Sequence, residues 1–406
     1  MPRVLLLVPS STYRAAAFVD AAARLGAEVV VACDAPQAMS QAMGQRALVV
    51  DLDRPDQTAD AVAQLARRLP LDAVVALDDQ GVLAAAEAAA RLGLAHSPPS
   101  AVAATRDKHL LRHRLAAAGL PQPAHRLLRP GDDPQEAASR VGLPAVAKPL
   151  GLSASRGVIR ADSPAGLAEA ANRSRAVAGQ AEVLVESFVP GPEVAVEGLL
   201  VRGRFQALAV FDKPDPLDGP LFEETIYTTP TRLPPAQADR AVSAAASACA
   251  ALGLVEGPAH AELRLGPDPV VIDLAARTIG GRCSSALAFR GGRSLEEVVL
   301  AAALGRRPDT RLAPGAFGAM MIPIPAAGVL VGVEGQEQAL AVPGVTGVEV
   351  TAPPGRPIRP LPEGDRYLGF IFARLPDPAA VEAALREAHS RLRVQLADAP
   401  ARVGCR

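Results

Sequence analysis

The feature that most constrains this fold is an alternation in the first hundred residues. Short apolar runs at residues 4–8, 28–32, 47–51 and 73–77 are separated by alanine-rich helical stretches at 15–25, 59–69 and 82–92. Strands joined by helical crossovers form a parallel sheet with helices packed on it. A Rossmann-like α/β domain over residues 1–100 follows. No GxGxxG succeeds the first strand, so the dinucleotide fingerprint is missing. Asp78 and Asp79 end the fourth strand, where such sheets place ligand groups. A solvated loop is an equal reading of that pair.

Charge and composition remove several function classes. The 42 Lys and Arg balance 43 Asp and Glu, for a net charge of −1, which argues against a nucleic-acid partner held by a basic surface. No apolar run reaches the length of a membrane span. Residues 1–10 read as a first strand, not a secretion signal. Cys33, Cys249, Cys283 and Cys405 are far apart and form no CxxC, so neither a disulfide framework nor a zinc site is expected, and a reducing cytoplasm is. Only three cations are lysines: Lys108, Lys148 and Lys213. Where arginine serves every generic surface charge, a retained slender ammonium marks a place that needs a point charge, such as a phosphate.

Further along, residues 96–100 read as a linker, and Thr105 as the cap of a helix running to about 118. Residues 121–134 look loop-rich. Strands are expected at 145–148 and 158–160, a helix at 164–178, and antiparallel strands at 183–189, 193–201 and 204–211. A helix at 236–252, strands at 259–265 and 270–276, and a helix at 295–304 follow. From Pro314 the Pro and Gly density rises, and a small β-rich piece closes with a helix at 379–391.

Three constellations carry chemistry. First, the strand ending in Lys148 runs into Gly151-Leu-Ser153-Ala-Ser155-Arg156-Gly157. Small residues let backbone N–H groups approach phosphate oxygens, hydroxyls add donors, and the lysine adds charge. No GK[ST] ends this loop, so it is not a Walker loop, and by itself such a loop is more often an ordinary turn. Second, Glu186 and Glu193 bracket a chain reversal. Both can face one crevice and hold a ribose, while the backbone of Ser187 to Val189 reads an adenine edge. Edge-strand acids are the plain alternative. Third, Glu262 and Asp273 lie on two strands joined by a Gly-Pro turn. If Pro267 and Asp268 form a two-residue loop, the two acids are directly opposed, with Cβ atoms about 5 Å apart. Opposed carboxylates repel unless a cation joins them, and Mg²⁺ takes one or two carboxylates plus nucleotide phosphates. Arg277, on the same strand face, would hold a transferring phosphoryl group.

In this order, RDK (106–108), AKP (147–149) with its loop, VES…GPE (185–193), HAE (260–262) and IDLAAR (272–277) resemble the ATP-grasp superfamily of carboxylate–amine ligases. Residues 273–292 and 319–374 look most like the L-amino acid ligases that make dipeptides. The tail disfavours a biotin-carboxylase type. The resemblance implies a mixed α/β and α+β architecture: an N-terminal α/β domain (1–100), an ATP-grasp domain (101–312, lid about 121–187) and a small C-terminal β-rich domain (313–406). It assigns Lys108, Lys148, Ser153, Ser155, Arg156 and Gly157 to the phosphates, and Glu186, Ser187, Val189 and Glu193 to the nucleoside. Glu262 and Asp273 become metal acids for one or two Mg²⁺, and Arg277 the phosphoryl-holding arginine. Many members read E-x-N where this chain has Asp273-Leu-Ala275, which leaves the metal count open.

Acyl-phosphate chemistry is implied: a carboxylate takes the γ-phosphoryl of ATP, ADP leaves, and an amine displaces phosphate. Such transfer depends on charge neutralisation and placement, which Lys148 and Arg277 supply. Arg282, in a glycine-flanked turn, would hold the acyl phosphate or a carboxylate. Glu224 and Tyr227 would meet a substrate ammonium and Arg290 a carboxylate, with Lys213 in the same substrate-binding segment, a β-hairpin with a charged tip being the bland alternative. The substrates would be a small carboxylate and an amine, with no nucleic acid or membrane partner and a homodimer by analogy. Two rivals stay open: a ligase for a non-amino-acid carboxylate in secondary metabolism, and a nucleotide-binding module without turnover.

Overall fold

The computed structural model describes residues 1–36 and 44–398, so Cys405 lies outside the described residues. The chain divides into two compact units. One comprises residues 1–122, 194–210 and 233–313; the other comprises 123–193, 211–232 and 314–406.

The first unit opens with β1 (Arg3–Val8), α1 (Ala15–Arg24), β2 (Glu28–Cys33), β3 (Ala47–Val49), α2 (Pro55–Ala66), β4 (Ala73–Ala76) and α3 (Val82–Leu92). The strands form a parallel sheet in the order β3-β2-β1-β4. Leu5, Leu7, Val30 and Val74 pack with Val62 and the alanines of α3 into its core. Small alanine faces let helices lie close on the sheet, as the alternation requires.

Two local expectations are corrected next. Residues 96–100 are not all linker: α4 (Pro99–Arg106) begins there, with proline at the first turn, where its missing N–H costs nothing. Nor does Thr105 cap the following helix. It sits inside α4 and donates to the Val102 carbonyl at 2.7 Å. The cap of α5 (Lys108–Ala117) is Asp107, whose carboxylate accepts from the N–H groups of His109 and Leu110. A short acid beside the orphan amides outcompetes a hydroxyl two residues earlier.

The second unit contains β5 (His125–Leu128), α6 (Pro134–Val141), β6 (Ala145–Lys148), β7 (Ile159–Ala161), α7 (Pro164–Ala178) and β8 (Val183–Ser187), with antiparallel order β5-β8-β6-β7. The loop-rich reading of 121–134 missed β5. Only Leu128 of its four residues is fully buried, so no apolar alternation marks it; pairing with β8 makes it a strand.

The chain then crosses between units within two strands. β9 (Glu193–Val201) passes to the first unit at Val194, and β10 (Arg204–Lys213) passes to the second at Phe211. β11 (Ile226–Thr229) belongs to the second unit. α8 (Pro235–Leu252), β12 (Gly257–Arg264), β13 (Val270–Ala275) and α9 (Leu295–Ala303) belong to the first, where the strand order is β13-β12-β9-β10.

The rest lies in the second unit: β14 (Ala316–Ile322), β15 (Gly328–Glu334), α10 (Gln336–Leu340), β16 (Val345–Val350), β17 (Pro357–Ile358), β18 (Gly369–Leu375), α11 (Pro378–Ser390) and β19 (Arg393–Ala397). Strands run β11-β14-β18-β16, beside a small sheet β17-β15-β19, and Val381 and Leu385 of α11 join the same core. Among the described residues, no helix is long and apolar enough to cross a membrane.

Candidate active site

In the first unit, β12 and β13 set Glu262 directly opposite Asp273. The cause differs from the expected two-residue loop. Arg264 pairs with Val270, so five residues separate the strands, and an irregularity between Glu262 and Leu263 shifts the register by one. A bulge re-aims side chains in this way and recurs beside functional sites. Lys108, the first residue of α5, places its Nζ 3.3 Å from Asp273 Oδ2. Arg112, one turn on and 1% exposed, donates to the carbonyls of Val271 and Ile272 at 2.7 and 2.8 Å. The helix that carries Lys108 is thereby bound to the strand that carries Asp273. Arg264, at the end of β12, is buried at 3%.

Arg277 does not continue the face of β13, because the strand ends at Ala275 and the chain bends. Its Nη2 donates to Asp79 Oδ2 and its Nη1 to the Thr278 carbonyl, both at 2.9 Å. Burial opposes the guanidinium charge, but Asp79 outweighs it, and the pKa stands above the usual arginine value. Arg282 immediately precedes a short 3₁₀ turn, Cys283–Ala286, close to Tyr13. Burial, with Cys283 and Asp78 nearby, pushes the Tyr13 phenol up to about 12. Arg290 is exposed; its N–H donates to the Arg311 carbonyl at 2.8 Å, and its charge lies near Asp309.

Sequence reasoning missed a buried pair beside Glu262. Glu197, 0% exposed on β9, bonds His260 Nδ1 and accepts the Ile279 N–H at 3.0 Å. His260 Nε2 stands 3.4 Å from Glu262. Burial disfavours the imidazolium, but Glu197 and then Glu262 hold its pKa up to about 9. The only available signal was an acid inside one strand and a histidine inside another, which the strand pattern alone does not pair.

In the second unit, Lys148 Nζ lies 2.7 Å from Glu186, which is 2% exposed. The register explains the pair: Lys148 opposes Leu184, so Glu186 is its diagonal neighbour on the same face. The loop after Lys148 holds Ala154 and Ser155 at positive φ (55° and 54°), with Gly157 at 68°. A Cβ on Gly157 would come within 2.8 Å of Pro149, so only glycine fits. Its N–H donates to the Pro362 carbonyl at 3.0 Å, tying the loop to the segment before β18. Ser153 and Arg156 lie in the same loop, bridged by an Arg156 N–H to Ser153 carbonyl bond at 3.3 Å. Ser187 ends β8 with its N–H on the Ala124 carbonyl at 2.8 Å, and Val189 follows in half-buried chain.

Lys213, 7% exposed, bridges Glu193 and Glu224 at 2.5 Å each, and the Tyr227 hydroxyl donates to Glu224 at 2.7 Å. Lys213 also stands 5.0 Å from the Tyr227 ring centre. The substrate-segment candidates Lys213, Glu224 and Tyr227 thus meet, and Glu193, expected at a ribose, joins them. Tyr227 is 2% exposed, in the strand β11 and not at a hairpin tip.

Three family models match the chain: an ATP-grasp N-terminal domain over residues 19–96, an ATP-grasp domain over 141–286 and an L-amino acid ligase C-terminal domain over 320–397. The chain belongs to the ATP-grasp ligase family, whose N-terminal and central domain models match it one after the other. Within that superfamily it is most like the L-amino acid ligases. The crystal structure of the L-amino acid ligase from Bacillus licheniformis superposes with a TM-score of 0.80 at 25% identity, covering 98% of this chain and 99% of that one. Alanine–anticapsin ligase of Bacillus subtilis is 25% identical over 57% of this chain and 53% of its own length. Carnosine synthase 1 of Homo sapiens is 30% identical over 65% of this chain and 35% of its own. The chain thus spans about half and about a third of those two relatives.

Proposed function

We propose that this protein joins the carboxylate of one amino acid to the amine of a second, using ATP and releasing ADP and phosphate. The observation that carries the reading is Glu262 directly across from Asp273, with Lys108 3.3 Å from the second acid. The likeness to L-amino acid ligases supports amino acids as substrates. The substrate carboxylate oxygen attacks the γ-phosphorus, ADP departs, and an acyl phosphate forms. The second amine then attacks the acyl carbon, loses a proton and expels phosphate.

Magnesium fits the donor set: two hard carboxylate oxygens on opposed strands, with the remaining positions left to phosphates and water. Ala275 has no ligand atom, so the residues present fit one ion better than two. Bound there, the ion would neutralise phosphate charge. The chain's own residues do the rest. Lys108 and Lys148 bind phosphate oxygens, and the 151–157 loop, with Ser153, Ser155, Arg156 and Gly157, covers them and excludes water from the acyl phosphate. Glu186, Ser187, Val189 and Glu193 serve the nucleoside. Arg277 stabilises the transferring phosphoryl group, and Arg282 the acyl phosphate or a carboxylate. Glu224 and Tyr227, held by Lys213, receive a substrate ammonium; Arg290 is proposed for a carboxylate. A homodimer and a cytoplasmic location belong to this reading by analogy.

A screen of amino acid pairs for phosphate release tests the proposal. ADP and a dipeptide mass are expected. AMP would overturn the chemistry, a different acid–amine product would favour the secondary-metabolism ligase, and silence across substrates would favour a module without turnover. Glu224→Gln is expected to raise the KM of the substrate whose ammonium it meets by about tenfold, with the ATP KM little changed. Unaltered substrate kinetics would remove Glu224 from the site.

A further inference from the structure

Asp78 and Asp79 at the end of β4 have no part in the reaction just described, yet three arginines of the same unit converge on them. Asp79 accepts from Arg277 Nη2 at 2.9 Å and pairs with Arg106 Nη1 at 3.2 Å. Asp78 lies 3.8 Å from Arg14 Nη1. Arg14, 3% exposed, is anchored in turn to the Leu77 carbonyl at 2.8 Å and to the Thr278 hydroxyl. Arg277 stands two residues past the end of β13, where no sheet ladder fixes its direction. A long side chain there would sample many rotamers unless something holds its head. The two bonds that hold it are a carboxylate at Nη2 and the neighbouring Thr278 carbonyl at Nη1. The side chains of Arg277 and Asp79 are 12% and 14% exposed, so the pair is poorly screened and its geometry is kept. Arg106 braces Asp79 from the C-terminal end of α4, one residue before the cap of the helix that carries Lys108.

We propose that Asp79 is the positioning residue for Arg277: its carboxylate, braced by Arg106, fixes the direction of the guanidinium before substrate arrives. The N-terminal sheet then contributes to the reaction through the end of β4 without touching substrate. The role rests on the reading of Arg277 under Proposed function, and a double-mutant cycle separates the two.

Asp79→Ala and Asp79→Asn are each made in the native protein and with Arg277→Lys, and kcat, both KM values and melting temperature are measured. A misdirected catalytic group costs on the order of 10²-fold in rate, so Asp79→Ala in the native protein is expected to lower kcat by about that factor while the ATP KM stays within about twofold. With Arg277→Lys already present, removing Asp79 is expected to cost less than about twofold more, because groups that act through one another are not additive. Asp79→Asn keeps an acceptor without the charge and falls between; it carries the cycle alone should the alanine variant fail to fold. Native kcat in both Asp79 variants, or the same loss with and without Arg277, would overturn the proposal. An Arg277→Lys protein as active as the native one would instead overturn the role given to Arg277 itself.

Discussion

At the residue scale, each of the three scarce lysines is paired with an acid that the sequence also singled out: Lys108 with Asp273, Lys148 with Glu186, and Lys213 with Glu193 and Glu224. What scarcity could not reveal is the partner, since even the pairs nearest in sequence, Lys213 with Glu224 and Glu193, join residues 11 and 20 positions apart on different segments. Histidines show the same limit. Nothing local separates His260, held charged between two carboxylates, from His96, whose pKa burial lowers from 6.5. That lowering has a sign. As pH falls through 6.5, the unfolded chain takes up a proton that folded His96 refuses, so its contribution to stability is present above 6.5 and is lost as pH falls toward the depressed value. Urea midpoints of the native protein are expected to drop between pH about 8 and about 5 by more than those of His96→Gln. Equal drops would show that His96 does not titrate differently on folding.

At the element scale, most strands and helices were legible from their punctuation and apolar runs, as in α7 at Pro164–Ala178, capped by Ser163 and stopped at Gly179, and β9 at Glu193–Val201, buried along nearly its whole length. Two kinds of element were not. β5 has no buried alternation and exists because β8 pairs with it. The β12–β13 hairpin kept the expected opposition of Glu262 and Asp273 through a longer turn offset by a bulge, and bulges leave no sequence period behind. Helix starts are decided by individual donors and acceptors, which is why Asp107 displaces Thr105 as the cap of α5. Asp107→Ala is expected to cost about 1 kcal/mol in chemical denaturation, the usual worth of an N-cap. It is also expected to raise the ATP KM, because Lys108 is the first residue of that helix. A stability loss with nucleotide kinetics untouched would separate the cap from the site.

At the scale of the whole molecule, a ligand that binds only the folded chain stabilises it by mass action. ADP with Mg²⁺ at a hundredfold its Kd is expected to add about 2.7 kcal/mol and raise the melting temperature by several degrees, with part of that gain lost on adding EDTA. No shift at saturating nucleotide would contradict the proposed site. By itself the amino-acid sequence determined the class of fold, the order of its motifs and the identity of the charged groups, because periodicity, glycine and scarce lysines are local properties. Only the tertiary structure decided which charges meet. Ion pairs such as Arg277 with Asp79, and buried bonds such as His260 with Glu197, join residues 198 and 63 positions apart. Such pairs depend on strand register and on where a strand stops, and these are settled by packing across the sheet.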